Sequence, residues 1–209
     1  VYALVAKKKI QPMKILLTGA TGYIGKRLLP LLVEQGHEII CCVRDKNRFY
    51  YPLEFQKNIM VIEVDFLQQE TLAAIPEDID AAYYLIHSMS GSAANFDELE
   101  SASAHNFVQR LNQTKTKQVI YLSGIVNDKS LSKHLSSRKK VEEILNTGTF
   151  ATTTLRAGII VGSGSASFEI IRDLVNKLPI MITPKWLNTK CQPIAIPDVL
   201  DFLSKSLLN

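Results

Sequence analysis

Residues 18–25 read Thr-Gly-Ala-Thr-Gly-Tyr-Ile-Gly and follow directly on an apolar run at residues 13–17. Each glycine of this stretch has a physical reason. Gly19 permits a tight turn out of a strand, Gly22 lets the backbone approach a pyrophosphate, and Gly25 allows a helix to pack closely on the strand. Free N–H groups at the start of that helix then face the anion. The stretch therefore predicts a strand, a dinucleotide-binding turn and a helix.

The rest of the chain alternates short apolar runs with helical stretches. Strand-like runs cover residues 38–43, 58–65, 80–87, 117–123 and 150–161, and helical patterns are clearest at 93–111 and 168–177. This alternation is typical of βαβ units and a parallel sheet. We predict an α/β fold, a doubly wound parallel sheet of the NAD(P)-binding Rossmann type, with ligands beyond the carboxyl ends of the strands. Pro30 falls inside the first helix, so we expect a kink or a helix that tolerates it.

Composition indicates one globular domain. The 209 residues are 46% hydrophobic and 21% charged, with no long biased tract. We expect residues 1–12 to be a tag or an N-terminal extension. Residues 13–209 are expected to form the NAD(P)-binding domain, with a C-terminal substrate part missing.

Charge and residue spacing exclude several classes of function. A net charge of +4 without interleaved aromatic residues does not indicate nucleic-acid binding. No metal-ligand spacing is present, and no apolar segment reaches the roughly 18 residues of a membrane span. Cys41, Cys42 and Cys191 are interpreted as reduced core residues. We expect a cytoplasmic protein whose partner is a small-molecule substrate, with no metal and no nucleic acid.

The residue after the second predicted strand bears on the choice of nucleotide. NAD-preferring sites usually place a carboxylate there for the ribose 2′-OH. This chain has Arg44, whose guanidinium can pair with a 2′-phosphate, helped by Lys46 or Arg48. The sequence therefore favours NADP as cofactor, with NAD as the alternative. In a third interpretation, Arg44 is only a solvated residue at a strand end.

The glycine spacing, Gly-x-x-Gly-x-x-Gly, resembles that of the short-chain dehydrogenase/reductase superfamily, in particular its extended and atypical members. The resemblance implies that Asp65 accepts from the adenine amino group and that Phe66 forms an apolar wall. Asp65 as a cap of the following helix is a compatible alternative. His87, after the fourth strand, is a further candidate near the nicotinamide, or else a packed histidine. The predicted cofactor-binding residues are Gly19, Thr21, Gly22, Tyr23, Ile24, Gly25, Arg44, Asp65, Phe66 and His87.

Longer motifs are similar to those of the bacterial NmrA-like reductases that carry an additional C-terminal domain of unknown function. They are His-Ser-Met at 87–89, the stretch at 131–138, and the stretch at 155–169, with further matches at 178–186 and 192–199. The resemblance runs from Met13 nearly to the end of the chain. It implies fold and cofactor class more than a particular reaction.

The predicted catalytic residues are Ser123, His134 and Arg138. Active members of the superfamily combine a serine after the fifth strand with Tyr-x-x-x-Lys on the next helix. Ser123 matches the serine, but the helix has histidine and arginine at the four-residue spacing, which puts both on one helix face. His134 could transfer a proton, and Arg138 could hold the nicotinamide ribose or a substrate anion. In the alternative interpretation, the two are a solvated helix start without chemistry.

A second glycine-containing turn, Gly-Ser-Gly-Ser at residues 162–165, precedes the helical pattern at 168–177. It could cradle a carboxylate or phosphate with its N–H groups, or be a turn with a serine N-cap.

These observations favour an NADP-linked atypical short-chain oxidoreductase that reduces an unidentified carbonyl or enone. The missing tyrosine leaves a redox- or nucleotide-sensing regulatory module as an alternative. A third hypothesis is an epimerase or dehydratase that retains NAD.

Overall fold

The computed structural model describes residues 11–86, 96–125, 133–177 and 191–208. The strands in these ranges are β1 (Lys14–Leu17), β2 (Glu38–Val43), β3 (Ile59–Glu63), β4 (Ala81–Tyr84), β5 (Gln118–Gly124), β6 (Ala151–Ala157), β7 (Ile160–Val161) and β8 (Ile194–Ala195). The α-helices are α1 (Tyr23–Glu34), α2 (Phe96–Leu111), α3 (Lys133–Leu145), α4 (Ala166–Lys177) and α5 (Ile196–Lys205).

Six strands form the main sheet in the order β3-β2-β1-β4-β5-β6, and every neighbouring pair is parallel. This is the strand order of a doubly wound dinucleotide-binding fold, so the predicted fold class is confirmed. The order reverses between β1 and β4, which opens a crevice at the carboxyl ends of these two strands. The glycine turn at residues 18–25 lies at that crevice.

Helices cover both faces of the sheet because strand residues alternate between them. Ile15 and Leu17 of β1 belong to the core cluster that packs against α1 and α5, whereas Leu16 packs toward α2 and α3. The Tyr83 hydroxyl, on the α1 side, donates to the Leu203 carbonyl of α5 at 2.9 Å. The bond ties α5 to the centre of the sheet.

The predicted strand at residues 150–161 is two strands in separate sheets. β6 ends at Ala157, and β7 pairs with β8 in a second, two-stranded sheet. The break falls at Gly158, where an added Cβ would lie 2.2 Å from the carbonyl oxygen of Gln192. The single-strand prediction was wrong because this close contact comes from a segment more than thirty residues later.

Other expectations are confirmed or corrected in detail. α1 continues through Pro30 to Glu34, so the helix tolerates the proline. The connections on either side of β3 contain short 3₁₀-helices rather than α-helices, at Lys46–Arg48, Leu53–Asn58 and Gln69–Ala74. Cys41 and Cys42 are buried as predicted, but Cys191 is exposed, so its assignment to the core was wrong.

Candidate functional site

The first glycine turn leaves no room for side chains at two of its positions. Gly19 has φ +67°, and an added Cβ would lie 2.4 Å from the carbonyl oxygen of Leu85. A Cβ on Gly25 would lie 2.3 Å from the carbonyl oxygen of Gly19. Helix α1 therefore begins in direct contact with the turn itself. This contact brings the first N–H groups of the helix to the edge of the crevice.

The start of α1 has no acceptor of its own. Gly22 is the N-cap residue, no side chain caps the helix, and its first turn contains no acidic residue. The Gly22 N–H donates to the Gly19 carbonyl at 2.9 Å, which closes the turn. The first N–H groups of a helix lack intrahelical partners and carry the positive end of its dipole. This helix start is therefore suited to binding an anion.

Thr18 locks the turn to the neighbouring strand. Its buried Oγ1 donates to the Tyr83 carbonyl at 2.9 Å and accepts the Leu85 N–H at 3.0 Å. The hydroxyl thus joins the carboxyl ends of β1 and β4, where the strand order reverses. Sequence reasoning quoted Thr18 only as part of the motif, because the partner atoms lie 65 residues or more away.

Arg44 lies at the same sheet edge, directly after β2, and is exposed. Among the described residues it makes no hydrogen bond or ion pair. The adjacent carboxylate is used locally, since Asp45 Oδ1 accepts the Asn47 N–H at 2.9 Å. Lys46 and Arg48 are also exposed. The end of β2 thus presents positive charge toward solvent.

The two residues predicted to flank adenine differ in their surroundings. Asp65 lies half-buried after β3, and its Oδ1 accepts the Leu67 N–H at 3.0 Å. Phe66 is only 5% exposed and packs on Phe107 with ring centroids 5.6 Å apart. The structure therefore brings Asp65 to the sheet edge and places Phe66 in the core. The role of Phe66 as an adenine wall stays a prediction.

In the second turn, at residues 162–165, a backbone N–H and a hydroxyl are bonded to groups of the same chain. The Gly164 N–H donates to Glu169 Oε1 at 3.0 Å, and the Ser165 hydroxyl donates to the Ile160 carbonyl at 2.6 Å. Through this bond Ser165 links the start of α4 to β7. The Gly164 N–H, which was predicted to be able to bind a ligand, thus already donates to a carboxylate of α4.

Arg27 connects the two turns and was not predicted. Its Nη2 donates to the Ser163 carbonyl at 2.9 Å, and its guanidinium lies 3.9 Å from the centre of the Tyr23 ring. Its Nη1 also donates to the Tyr23 carbonyl at 3.1 Å. The spacing of one helical turn between Tyr23 and Arg27 is a signal that sequence reasoning could have used.

Ser123, at the end of β5, is only 1% exposed, and its hydroxyl has no hydrogen-bond partner among the described residues. Tyr121, two residues earlier on the same face, donates from its hydroxyl to the Arg138 carbonyl at 3.3 Å. Burial raises the pKa of Tyr121 to about 12, and the charge of Arg138 opposes that rise. Tyr121 is therefore a neutral hydrogen-bond donor at neutral pH.

Helix α3 carries the other two predicted catalytic residues. His134 lies in its first turn, with its side chain outside the described part, and Arg138 follows one turn later. The buried Ser137 hydroxyl donates to the Glu100 carboxylate of α2. Together with the Tyr121 bond, this contact holds the turn of α3 that carries Arg138.

A cavity of about 400 Å³ opens beside Arg138. It lies where β5 and β6 end, at the same sheet edge as the glycine turn. A Cβ added to Gly124 would lie 3.7 Å from Arg138 Nη1, so the guanidinium reaches the end of β5. Ser123 does not line the cavity. Its lining residues are Gly124, Ile125, Leu135, Arg138, Ala157, Gly158, Ile159, Cys191 and Gln192.

Several predicted features lie outside the described residues. These are His87, the motif at 87–89, the start of the motif at 131–138, and the motifs at 178–186. Within the described ranges, no group of three or more His, Cys, Asp or Glu residues is arranged to hold a metal ion. No helix found there has the length and apolar character needed to span a membrane.

Comparison with known families agrees with this geometry. A family model described as NAD(P)H-binding matches residues 19–167, from the glycine turn to the start of α4. Photosystem II assembly factor Ycf39 of Synechocystis sp. is 22% identical over 111 residues, which cover 53% of this chain and 33% of that protein. The chain thus spans about a third of the length of this curated relative.

Solved structures with the same fold include complexes with NAD. The enzyme WbmH of Bordetella bronchiseptica, in complex with NAD+, superposes with a TM-score of 0.74 at 15% identity, covering 94% of this chain and 72% of that one. A variant of UDP-glucuronic acid 4-epimerase from Bacillus cereus, with NAD, gives 0.69 at 18% identity, covering 93% and 73%. At these identities the likeness concerns the fold, and it confirms the predicted Rossmann architecture.

Proposed function

This chain belongs to the NAD(P)H-binding family, and from that premise we propose that it is an NADP-linked oxidoreductase of the atypical short-chain class. Its substrate in this proposal is a small carbonyl or enone compound. The observation that carries the proposal is the uncapped start of α1, which points its free N–H groups into the crevice between β1 and β4. A pyrophosphate is the anion that such a turn recognises.

Strand order supports a path for the whole dinucleotide. Neighbouring strands lie about 4.8 Å apart, so β3 and β5, two strands on either side of β1, are each about 10 Å away. With the pyrophosphate over β1, the adenosine half would lie over β2 and β3, beside Arg44 and Asp65. The nicotinamide half would extend over β4 toward Gly124 and the cavity.

Arg44 supports NADP rather than NAD. The guanidinium is exposed and without a partner among the described residues, whereas the nearby Asp45 carboxylate is engaged with a backbone N–H. A 2′-phosphate would therefore meet a guanidinium that has no partner in the described part of the chain, and a ribose 2′-OH would meet a carboxylate whose Oδ1 already accepts a backbone N–H.

The roles at the nicotinamide end follow from position. When bound, NADPH supplies the hydride. Arg138, in the cavity wall, would hold the substrate, and His134, one helical turn earlier, would deliver the proton to the carbonyl oxygen. Ser123, buried directly before Gly124, would act through the position of β5 rather than by contact.

The nucleotide assignment is tested by titrating the chain with NADPH and with NADH while following nicotinamide fluorescence. Arg44→Ala should weaken NADPH binding by about 10- to 100-fold, the equivalent of a charge-assisted hydrogen bond, and leave NADH binding unchanged. Lys57→Ala, which removes an exposed charge at the opposite sheet edge, is the matched control. Tighter binding of NADH that is indifferent to Arg44 would contradict the NADP assignment and favour an NAD-retaining epimerase.

A nucleotide-sensing module without turnover is the second candidate. It is favoured by the side chains around Arg138, since the Ser123 hydroxyl is buried and the Tyr121 hydroxyl is engaged with a carbonyl. A panel of carbonyl and enone compounds distinguishes the two functions. If any compound oxidises bound NADPH and this oxidation is lost in His134→Ala, the chain is an enzyme. If NADPH binds but no compound of the panel oxidises it, the chain is a sensor.

A further inference from the structure

The cavity beside Arg138 has the charge pattern of an anion site. Among the described residues that line it, Arg138 is the one charged residue and none is a carboxylate. The walls consist mainly of apolar side chains and of backbone at Gly124 and Gly158. A volume of about 400 Å³ is that of a site for a small organic molecule rather than for a bare ion.

Two carboxylates near Arg138 in the described part of the chain, those of Glu142 and Glu100, already have partners. Glu142, one turn further along α3, pairs with Arg156 at 2.6 Å, and Glu100 accepts from the Ser137 hydroxyl. Among the described residues the Arg138 guanidinium has neither an ion pair nor a hydrogen bond. A half-buried cation in this position gains most from an anion that enters the cavity, because a counter-ion offsets its desolvation.

We propose that this cavity binds the substrate as an organic carboxylate. One planar guanidinium matches a carboxylate through two parallel hydrogen bonds, whereas a phosphate dianion calls for more donors than the lining offers. The apolar body of the ligand would lie against Ile125, Leu135 and Ile159. The proposal rests on the proposed function, because it makes the hydride acceptor a carbonyl or enone that carries a carboxylate.

Cys191 provides a reporter for occupancy of this cavity. It lines the cavity and is exposed, whereas Cys41 and Cys42, the other two cysteines of the chain, are buried. Burial raises the pKa of Cys41 to about 12 and raises that of Cys42 as well. Since the thiolate is the reactive form, iodoacetamide should alkylate Cys191 alone in the folded chain.

The experiment measures the rate of Cys191 alkylation with 3-phenylpropanoate or with its neutral amide, with and without NADPH. The acid should slow alkylation by about fivefold or more at saturation, through mass action, and the amide should have little effect. Protection should be lost in Arg138→Met and weakened in Arg138→Lys, whose ammonium group keeps the charge but cannot form the two parallel hydrogen bonds. Lys139→Met, which removes the neighbouring exposed charge, should protect as the wild type does.

Equal protection by acid and amide, protection that survives in Arg138→Met, or no protection by either compound would overturn the carboxylate site. The NADPH titration is a separate readout on the same samples. A chain that is protected by the acid but does not bind NADPH would retain the carboxylate site and would contradict the proposed function alone.

Discussion

Two turns of this chain lead from a strand into a helix through glycines, and they treat their backbone N–H groups differently. The turn before α1 has no capping side chain and no acid in the first helical turn. In the turn before α4, Glu169 of the same helix accepts the Gly164 N–H. Glycines alone therefore do not identify an anion site. What distinguishes the two turns is whether the chain supplies its own acceptor.

The two turns are also in contact with each other. Arg27 of the first helix donates to the Ser163 carbonyl of the second turn. The turn before α4 thus supports α1 from the side, while the turn before α1 faces the crevice.

The largest expected effect is on stability. Gly19→Ala combines a positive φ with a Cβ 2.4 Å from a carbonyl oxygen, and should lower the free energy of unfolding by about 2–4 kcal/mol. Gly164→Ala has a positive φ but no atom nearer than 3.7 Å, and should lower it by only about 1 kcal/mol. Urea denaturation measures both. Equal losses would contradict the close packing of the first turn on Leu85.

Removing a hydroxyl from either turn should lower the free energy of unfolding by a smaller amount. Thr18→Val leaves the buried Leu85 N–H without its acceptor and should cost about 1–3 kcal/mol. Ser165→Ala removes one hydrogen bond to the Ile160 carbonyl and should cost about 0.5–1.5 kcal/mol. Thermal unfolding of both variants tests the order. A larger loss for Ser165→Ala would show that the second turn carries more of the stability.

Removing the charge of the internal acceptor should affect the second turn alone. Glu169→Gln keeps an oxygen for the Gly164 N–H but loses the negative charge and the ion pair with Arg172. The free energy of unfolding should fall by about 0.5–1 kcal/mol. NADPH affinity should stay within about twofold of the wild type, a free-energy change of less than 0.5 kcal/mol. A marked gain or loss of affinity would mean that the second turn also contacts the nucleotide.

The smallest effect is a pH dependence at the other end of β1. His37 is fully buried, its Nδ1 accepts the Met13 N–H at 3.2 Å, and burial lowers its pKa. The unfolded chain therefore binds more protons, so stability is fully present above the ordinary pKa of about 6.5 and falls as the pH drops below it. His37→Asn, whose Oδ1 can accept the same bond, should show a shallower fall. An unchanged pH profile would contradict this role of His37.

The sequence predicted the features that depend on local spacing. The glycine turn, β2 and the position of Arg44 follow from residues close together in the chain, and the alternation of strands and helices indicated the parallel sheet. The split at Gly158, the Arg27 contact with Ser163 and the exposure of Cys191 were not predicted, because each depends on packing between distant segments.

The predicted site residues also fall into those that local spacing placed correctly and those whose side-chain orientation depends on the sheet. The glycines and Arg44 lie at the carboxyl edge of the sheet, as expected from motif position. Phe66 follows β3 and Ser123 lies near the end of β5, but both side chains are buried, that of Phe66 in the core cluster on the α2 side. A motif defines which residues end a strand, whereas the face that each side chain takes depends on the register of the sheet.

Adding one negative charge to each turn shows whether only the first turn binds the pyrophosphate. Thr21→Asp and Ser163→Asp both alter exposed residues, and Thr21→Asn and Ser163→Asn are the neutral controls. Titrated with NADPH, Thr21→Asp should bind at least about tenfold more weakly than Thr21→Asn, from repulsion of the pyrophosphate, and both Ser163 variants should bind as the wild type does. Equal weakening by Ser163→Asp, or no weakening by Thr21→Asp, would contradict pyrophosphate binding by the first turn alone.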